Sequence, residues 1–166
     1  MAQSNSSTSY HDPNCTFCKI SRKVVVPPGQ KSNDQEQKTE SFFADDELFV
    51  INDISPRTTH HYLVITREHI ESAKSLTRQH VDLVKRMVEI GAQVLKDRHK
   101  EGSVDIKDIH LGFHWPPLTL IKHLHLHVMY PASGMSFLSK NFIFRSGLLF
   151  ITPDDLIERI QHLPDQ

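Results

Sequence analysis

The spacing of hydrophobic and polar residues changes along the chain, and each change marks an element. From about Thr77 to His99, Val81, Val84, Met87, Val88, Gly91, Val94 and Leu95 fall on one stripe at helical spacing, with Thr77 placed to cap its start. Phe42–Ala44 and Leu48–Asn52 are short apolar runs on either side of Asp45, Asp46 and Glu47, the pattern of a hairpin. His61–Thr66, Ile106–Phe113 and Leu124–Tyr130 read as three more strands. A turn at Ser55-Pro56-Arg57 precedes the first, and a loop around Trp115-Pro116-Pro117 joins the other two. Thr152, Pro153, Asp154 and Asp155 form a helix start, and Leu156, Ile157 and Ile160 supply its apolar side. Cys15 to Arg22 fits a short helix or a turn. Residues 1–12 read as a disordered tail, 27–40 as an exposed loop without a large apolar side chain, and 164–166 as a short tail. Together these elements predict one α+β domain over residues 13–163. It has about five strands in a mainly antiparallel sheet, one long helix packed across it and a C-terminal helix.

Within the last of those strands, residues 123–127 read His-Leu-His-Leu-His. Side chains on a strand alternate faces, so His123, His125 and His127 are expected on one face, with Leu124, Leu126 and Val128 turned into a core. Three imidazoles in a row pack poorly but suit chemistry. One option is a metal site, since alternating histidines on a strand are common ligands; residues 121–130, however, hold no carboxylate of the kind hydrolytic metal sites add. The preferred option is work on a phosphate. A neutral imidazole is a nucleophile near pH 7, and a neighbouring imidazolium can bond a phosphoryl oxygen.

Composition narrows the classes. The chain has 166 residues and a formal net charge of −1, from 19 basic and 20 acidic side chains. That balance provides no general attraction to nucleic acid or anionic lipid. No apolar run approaches the ~18 residues of a membrane span, and the serine-rich start has neither the charge nor the apolar stretch of a signal peptide. These features set an expectation of a cytoplasmic protein, also able to be nuclear. Twelve histidines are an unusual number, and the two cysteines, Cys15 and Cys18, form a C-x-x-C that in a reducing compartment points to metal or redox chemistry.

His123 to Val128 resembles the signature of the histidine triad family of nucleotide hydrolases and transferases. The resemblance extends over about residues 14–163. Cys15-Thr-Phe-Cys18-Lys-Ile20, Asn52-Asp53-Ile54-Ser55-Pro56, His61-Tyr-Leu-Val-Ile65, Arg67-Glu-His69-Ile70, Gly112-Phe-His-Trp-Pro-Pro117 and Phe137-Leu-Ser-Lys140 are similar to its Hint branch, in the same order. It implies the family's fold, a nucleotidyl-histidine intermediate and a homodimer. His125 would be the nucleophile, with its other ring nitrogen held by a backbone carbonyl near the first histidine. His127 would stabilise a nonbridging oxygen, and His61 would support the triad. The nucleotide-contacting set it implies is Phe17, Asp53, Ile54, His114, His125, Leu126 and His127. Asp53 would hold the ribose hydroxyls, and Phe17 and Ile54, with Ile51 or Phe49, the base.

The resemblance implies no cofactor for catalysis, but matches Cys15, Cys18, His69 and His123 to a structural zinc set found in some members. The sequence departs from the family at Leu120, where many members have a serine that assists the leaving group; that help then comes from His114, from a loop rearrangement or not at all, and in the last case turnover would be slow. The implied reaction is hydrolysis of the P–N bond of adenosine 5′-phosphoramidates, with aminoacyl-adenylates as related substrates and purine nucleotides as ligands. A slow AMP-binding scaffold or sensor, removal of AMP from nucleic-acid ends, and dinucleoside polyphosphate hydrolysis stay open beside it. The charge balance argues against nucleic acid as a partner.

Overall fold

The chain runs through α1 (Thr16–Lys23), β1 (Phe43–Ala44), β2 (Leu48–Asn52), β3 (His60–Thr66), α2 (Val81–Arg98), β4 (His110–His114), β5 (His125–Tyr130), β6 (Phe150–Ile151) and α3 (Pro153–Gln161). This is a computed structural model that describes residues 10–24, 40–100, 102–117, 119–147 and 149–164. The strands form one sheet in the order β1-β2-β3-β5-β4-β6, each pair antiparallel. The α+β class is as expected, with six strands rather than about five. The additional strand, β6, has two residues, too few to show a period.

Each face of the sheet has its own cover. On one, Val64, Leu126 and Val128 bury against Val84, Met87 and Leu95 of α2. The helix presses so closely at Gly91 that an added Cβ would lie 2.7 Å from a Val128 methyl and 3.2 Å from Val64. On the other face, Phe17 and Cys18 of α1 pack on Phe49, Ile51, Leu63 and Ile65. Arg67 fixes α1 there, donating to the carbonyls of Ser21 and Val24 and, from Nε, to that of Asp45. Leu63 and Ile65 pair with His127 and His125, so both histidines open on the α1 face.

Local signals end the elements where the sequence placed them, with some shifts. Asp45 Oδ1 accepts from the N–H groups of Glu47 and Leu48 and closes the β1–β2 hairpin. Thr152 accepts from the Asp155 N–H and caps α3. Thr77 starts its helix through a 3-10 turn, Arg78–His80, in which its own N–H is taken by His80 Nδ1. The strand expected over Ile106–Phe113 is a 3-10 turn, Ile106–Asp108, followed by the shorter β4. Asp105 accepts from the Lys107 N–H there and captures the chain into a turn. The tail expected over 1–12 is packed from Tyr10 onward: its carbonyl accepts from the His69 N–H, and its ring lies edge-on to His69. Residues 1–9, most of the 27–40 loop and residues 165–166 lie outside the described residues.

One boundary shifts at the triad itself. β5 begins at His125, and His123 lies before it, where Leu124 N–H bonds Ile70 O and His123 N–H bonds Ile121 O. The alternation still holds: His123 meets Phe17, Cys15 and Cys18 on the α1 side, as His125 meets Phe17, and Leu124 joins Leu126 and Val128 in the core against α2.

Candidate active site

His125 and His127 stand on the floor of a cleft of about 390 Å³, between α1, the segment after β2 and the segment before β6. His61 on β3, Asp53 and Ile54 after β2, His114 at the end of β4 and Phe17 on α1 complete the set that sequence reasoning placed together. Ile54 is fully exposed at the mouth, whereas Phe17 is buried with its ring edge-on to His125 at 5.2 Å. Ile51 lines the cleft. Phe49 does not; it is buried in the core beneath the Arg67 guanidinium. Leu126, which the resemblance adds to this set, turns its side chain to the opposite face, into the core with α2, as the alternation of the strand predicts.

Main-chain groups fix the protons on these imidazoles. A carbonyl can only accept, so the 2.6 Å contact between His125 Nδ1 and His123 O puts a proton on Nδ1 and leaves Nε2 with its lone pair. The Arg57 N–H donates to His61 Nδ1 at 3.1 Å, so His61 holds its proton on Nε2. That Nε2–H faces His127 Nδ1 at 2.9 Å, which in turn puts the proton of His127 on Nε2. Among the described residues, His127 Nε2 is buried with no partner. One nucleophilic nitrogen and one unpaired donor thus stand on adjacent alternating residues.

Burial keeps the cluster neutral. It pushes His61 and His114 down to about 4, while Asp53 partly opposes the shift at both. His125 is lowered and His127 more strongly so, both chiefly by burial, with His125 itself adding to the effect on His127. At neutral pH all four are imidazoles. Asp53 accepts from the Ser55 N–H at 2.7 Å through one oxygen, and the other lies 3.4 Å from His61 Nε2. His114 Nδ1 is buried without a partner among the described residues, its ring 4.7 Å from that of His127. Leu120, in place of a serine, lines the same cleft with its side chain almost wholly exposed.

His123 faces elsewhere. Its Nε2 donates to Thr66 O at 2.7 Å, so Nδ1 carries a lone pair, and this lies 3.4 Å from Cys15 Sγ and 3.6 Å from Cys18 Sγ. His69 Nδ1 stands 3.4 Å from Cys18 Sγ. Around a tetrahedral zinc with its usual Zn–S and Zn–N bonds, sulfur and nitrogen ligands are about 3.5 Å apart. The four donors fit that ion, and the Thr66 carbonyl provides the outer hydrogen bond that orients a ligating histidine.

The chain is similar to known proteins in both sequence and fold. The family profile described as "Scavenger mRNA decapping enzyme C-term binding" matches residues 29–143. A Xenopus tropicalis protein named adenosine 5′-monophosphoramidase HINT3 is 42% identical over 151 residues, covering 91% of this chain and 90% of that protein. The Mus musculus protein of the same name is 36% identical, over 91% of this chain and 84% of that protein. A histidine triad protein from Clostridium difficile has the same fold, with a TM-score of 0.57 at 20% identity over 72% of this chain and 92% of that one. The chain belongs to the histidine triad family. Relatives of this histidine triad protein are curated under an enzyme name, whereas the structural match shows the fold alone.

Sequence reasoning missed three parts of this histidine triad site. Arg57 acts through its main chain, which no side-chain pattern reports. Ile143 and Phe144 close the cleft from an irregular segment whose one turn, Ser139–Ile143, is a π-helix. The wall formed by Leu120 and Ile121 depends on how the loop before β5 folds back, a tertiary matter.

Proposed function

We propose that this protein is an adenosine 5′-monophosphoramidase that works through a nucleotidyl-histidine on His125. The observation that carries the reading is the pair of fixed tautomers, a bare Nε2 on His125 beside an unpaired Nε2–H on His127. The names of its relatives support the substrate class.

In the first step the lone pair of His125 Nε2 attacks the α-phosphorus. The P–N bond breaks, and its electron pair leaves on the amine nitrogen, which takes up a proton from solvent, to be returned by the water that attacks in the second step. His114, neutral and with its Nδ1 unpaired among the described residues, is the proposed hydrogen-bond partner for that nitrogen in the absence of the family serine. His127 donates to the nonbridging oxygen where negative charge must be held, and His61 keeps it in that tautomer. In the second step water attacks the nucleotidyl-histidine, AMP departs, and His125 Nε2 regains its lone pair. Asp53 would take the ribose hydroxyls, and Phe17, Ile51 and Ile54 the base. Leu120 supplies no donor, so without His114 turnover is expected to be slow.

Cys15, Cys18, His69 and His123 would hold a structural zinc, which would cross-link α1 to the segments after β3 and before β5. No catalytic step needs it. A homodimer and a cytoplasmic or nuclear location go with this reading and rest on the family resemblance and composition. Among the described residues no helix is long and apolar enough to cross a membrane.

The test is intact mass after brief acid quench of wild type and His125→Ala incubated with an adenosine phosphoramidate. An AMP-sized adduct on wild type alone, clearing as AMP appears, is the expected result. Tight AMP binding with neither adduct nor AMP release would instead make the protein a nucleotide-binding module.

A further inference from the structure

The cleft does not end at Leu120. A second groove of about 230 Å³ shares Thr16, Leu120 and Ile121 with it and continues to Asp12, Asn14 and Lys122. Sheet order shows which part of a substrate would reach that groove. Across the cleft floor, β2 contributes Ile51, β3 contributes His61 and Leu63, β5 contributes His125 and His127, and β4 contributes His114. On the reading above, base and ribose lie at the β2 end, with Ile51, Asp53 and Ile54, and phosphorus lies over β5. What remains beside phosphorus is the segment before β5, whose Ile121 lies next to His114 and His125 and whose Leu120 lines both spaces, and it faces the leaving group.

The charge of the second groove selects a chemistry. Lys122 Nζ is already bound to Glu71 Oε1 at 3.2 Å, and both side chains are more than half exposed. Asp12 Oδ1 accepts from the Asn14 N–H at 2.8 Å, and among the described residues no cation pairs with this carboxylate. Asn14 and Thr16 add polar atoms, and the passage between the two spaces is walled by Leu120 and Ile121. The groove therefore offers an apolar collar followed by an uncompensated carboxylate.

We infer that the groove is a leaving-group subsite for amines carrying a second, distal ammonium on an apolar stem, that is, for AMP conjugates of linear diamines. The inference rests on the hydrolase reading of the adjoining site. The distal ammonium would pair with Asp12 while the bonded nitrogen sits over His125. The chemical step is unchanged: the P–N bond breaks, the diamine leaves with a proton on the released nitrogen, and water completes AMP.

The test compares kcat/KM for AMP phosphoramidates of linear diamines, graded in length, with those of monoamines of equal length. Wild type is expected to favour the diamine at one best length by about two- to fivefold at low salt, the range of a partly exposed ion pair, chiefly through KM. The preference should fade as salt rises. Asp12→Asn should abolish it while leaving monoamine turnover unchanged, which also shows that the variant folds. Lys122→Ala, which removes the competing cation, should increase it. Equal turnover of diamine and monoamine at every length, or a preference that survives in Asp12→Asn, would overturn the subsite. Failure to release AMP from any of these substrates would overturn the hydrolase reading, and the subsite with it.

Discussion

The Arg57 main-chain N–H decides which proton each imidazole of the β3–β5 pair carries. It donates to His61 Nδ1, His61 donates to His127, and His127 is left with an N–H for a phosphoryl oxygen. Nothing in that chain is charged, because burial holds His61 and His127 low. Replacing His61 by Phe keeps a ring of similar bulk but removes the donor, so His127 can hold its proton on Nδ1, the wrong nitrogen. The expected result is a fall of about 10- to 100-fold in kcat/KM, the usual range for losing a group that orients a functional histidine. Ring 15N shifts of His127 should change to a mixture of tautomers. Unchanged shifts with unchanged rate would show that His61 does not set the tautomer.

At the level of elements, two contacts fix the sheet beneath the site. α2 lies flush on β3 and β5 at Gly91, where a methyl group would meet Val128 and Val64 side chains buried on all sides. Gly91→Ala gains helix propensity but overpacks the core, and the net loss is expected at about 1–3 kcal/mol by urea denaturation. A stabilised variant would mean that α2 has room to move. α3 depends on Thr152, whose hydroxyl accepts from Asp155 N–H and donates to the Asp155 carboxylate. Thr152→Ala should cost about 0.5–2 kcal/mol in the same assay, and its activity should be unchanged because α3 does not line the cleft. These elements were legible because α2 repeats its stripe over several turns and α3 begins with a cap, a proline and two acids. β6 and the 3-10 turn at Ile106–Asp108 were not, since two- and three-residue elements have no period and are decided by pairing with β4 and by the Asp105 cap. The triad was visible as a motif, and its division, with His123 beside the cysteines, was already implied by the family resemblance. What alternation could not foresee is where the strand starts, since Leu124 N–H bonds Ile70 O and β5 begins only at His125.

At the level of the whole molecule, the two clusters of buried histidines make stability depend on conditions. Cys15, Cys18, His69 and His123 join three segments distant in sequence, so an ion bound only by the folded protein raises its stability by about 2.7 kcal/mol at a hundredfold excess over Kd. Zinc should raise the melting temperature, a strong chelator should return it, and Cys18→Ser should remove the response. No shift in wild type would exclude zinc from the site. The imidazoles of the cleft act through protons instead. His61 and His114 have folded pKa values of about 4, against about 6.5 in an unfolded chain. Above about pH 6.5 both are neutral whether folded or not, and stability does not depend on them. Between about 6.5 and 4 the unfolded chain binds protons that the folded protein refuses, so stability falls with falling pH. Urea midpoints should therefore decline from neutral pH toward about pH 5, before most carboxylates titrate. His61→Phe should flatten part of that decline, because the variant has one fewer imidazole to protonate on unfolding. A midpoint that rises on acidification would mean that the cleft holds its histidines charged, and the neutral nucleophile on His125 would fall with it.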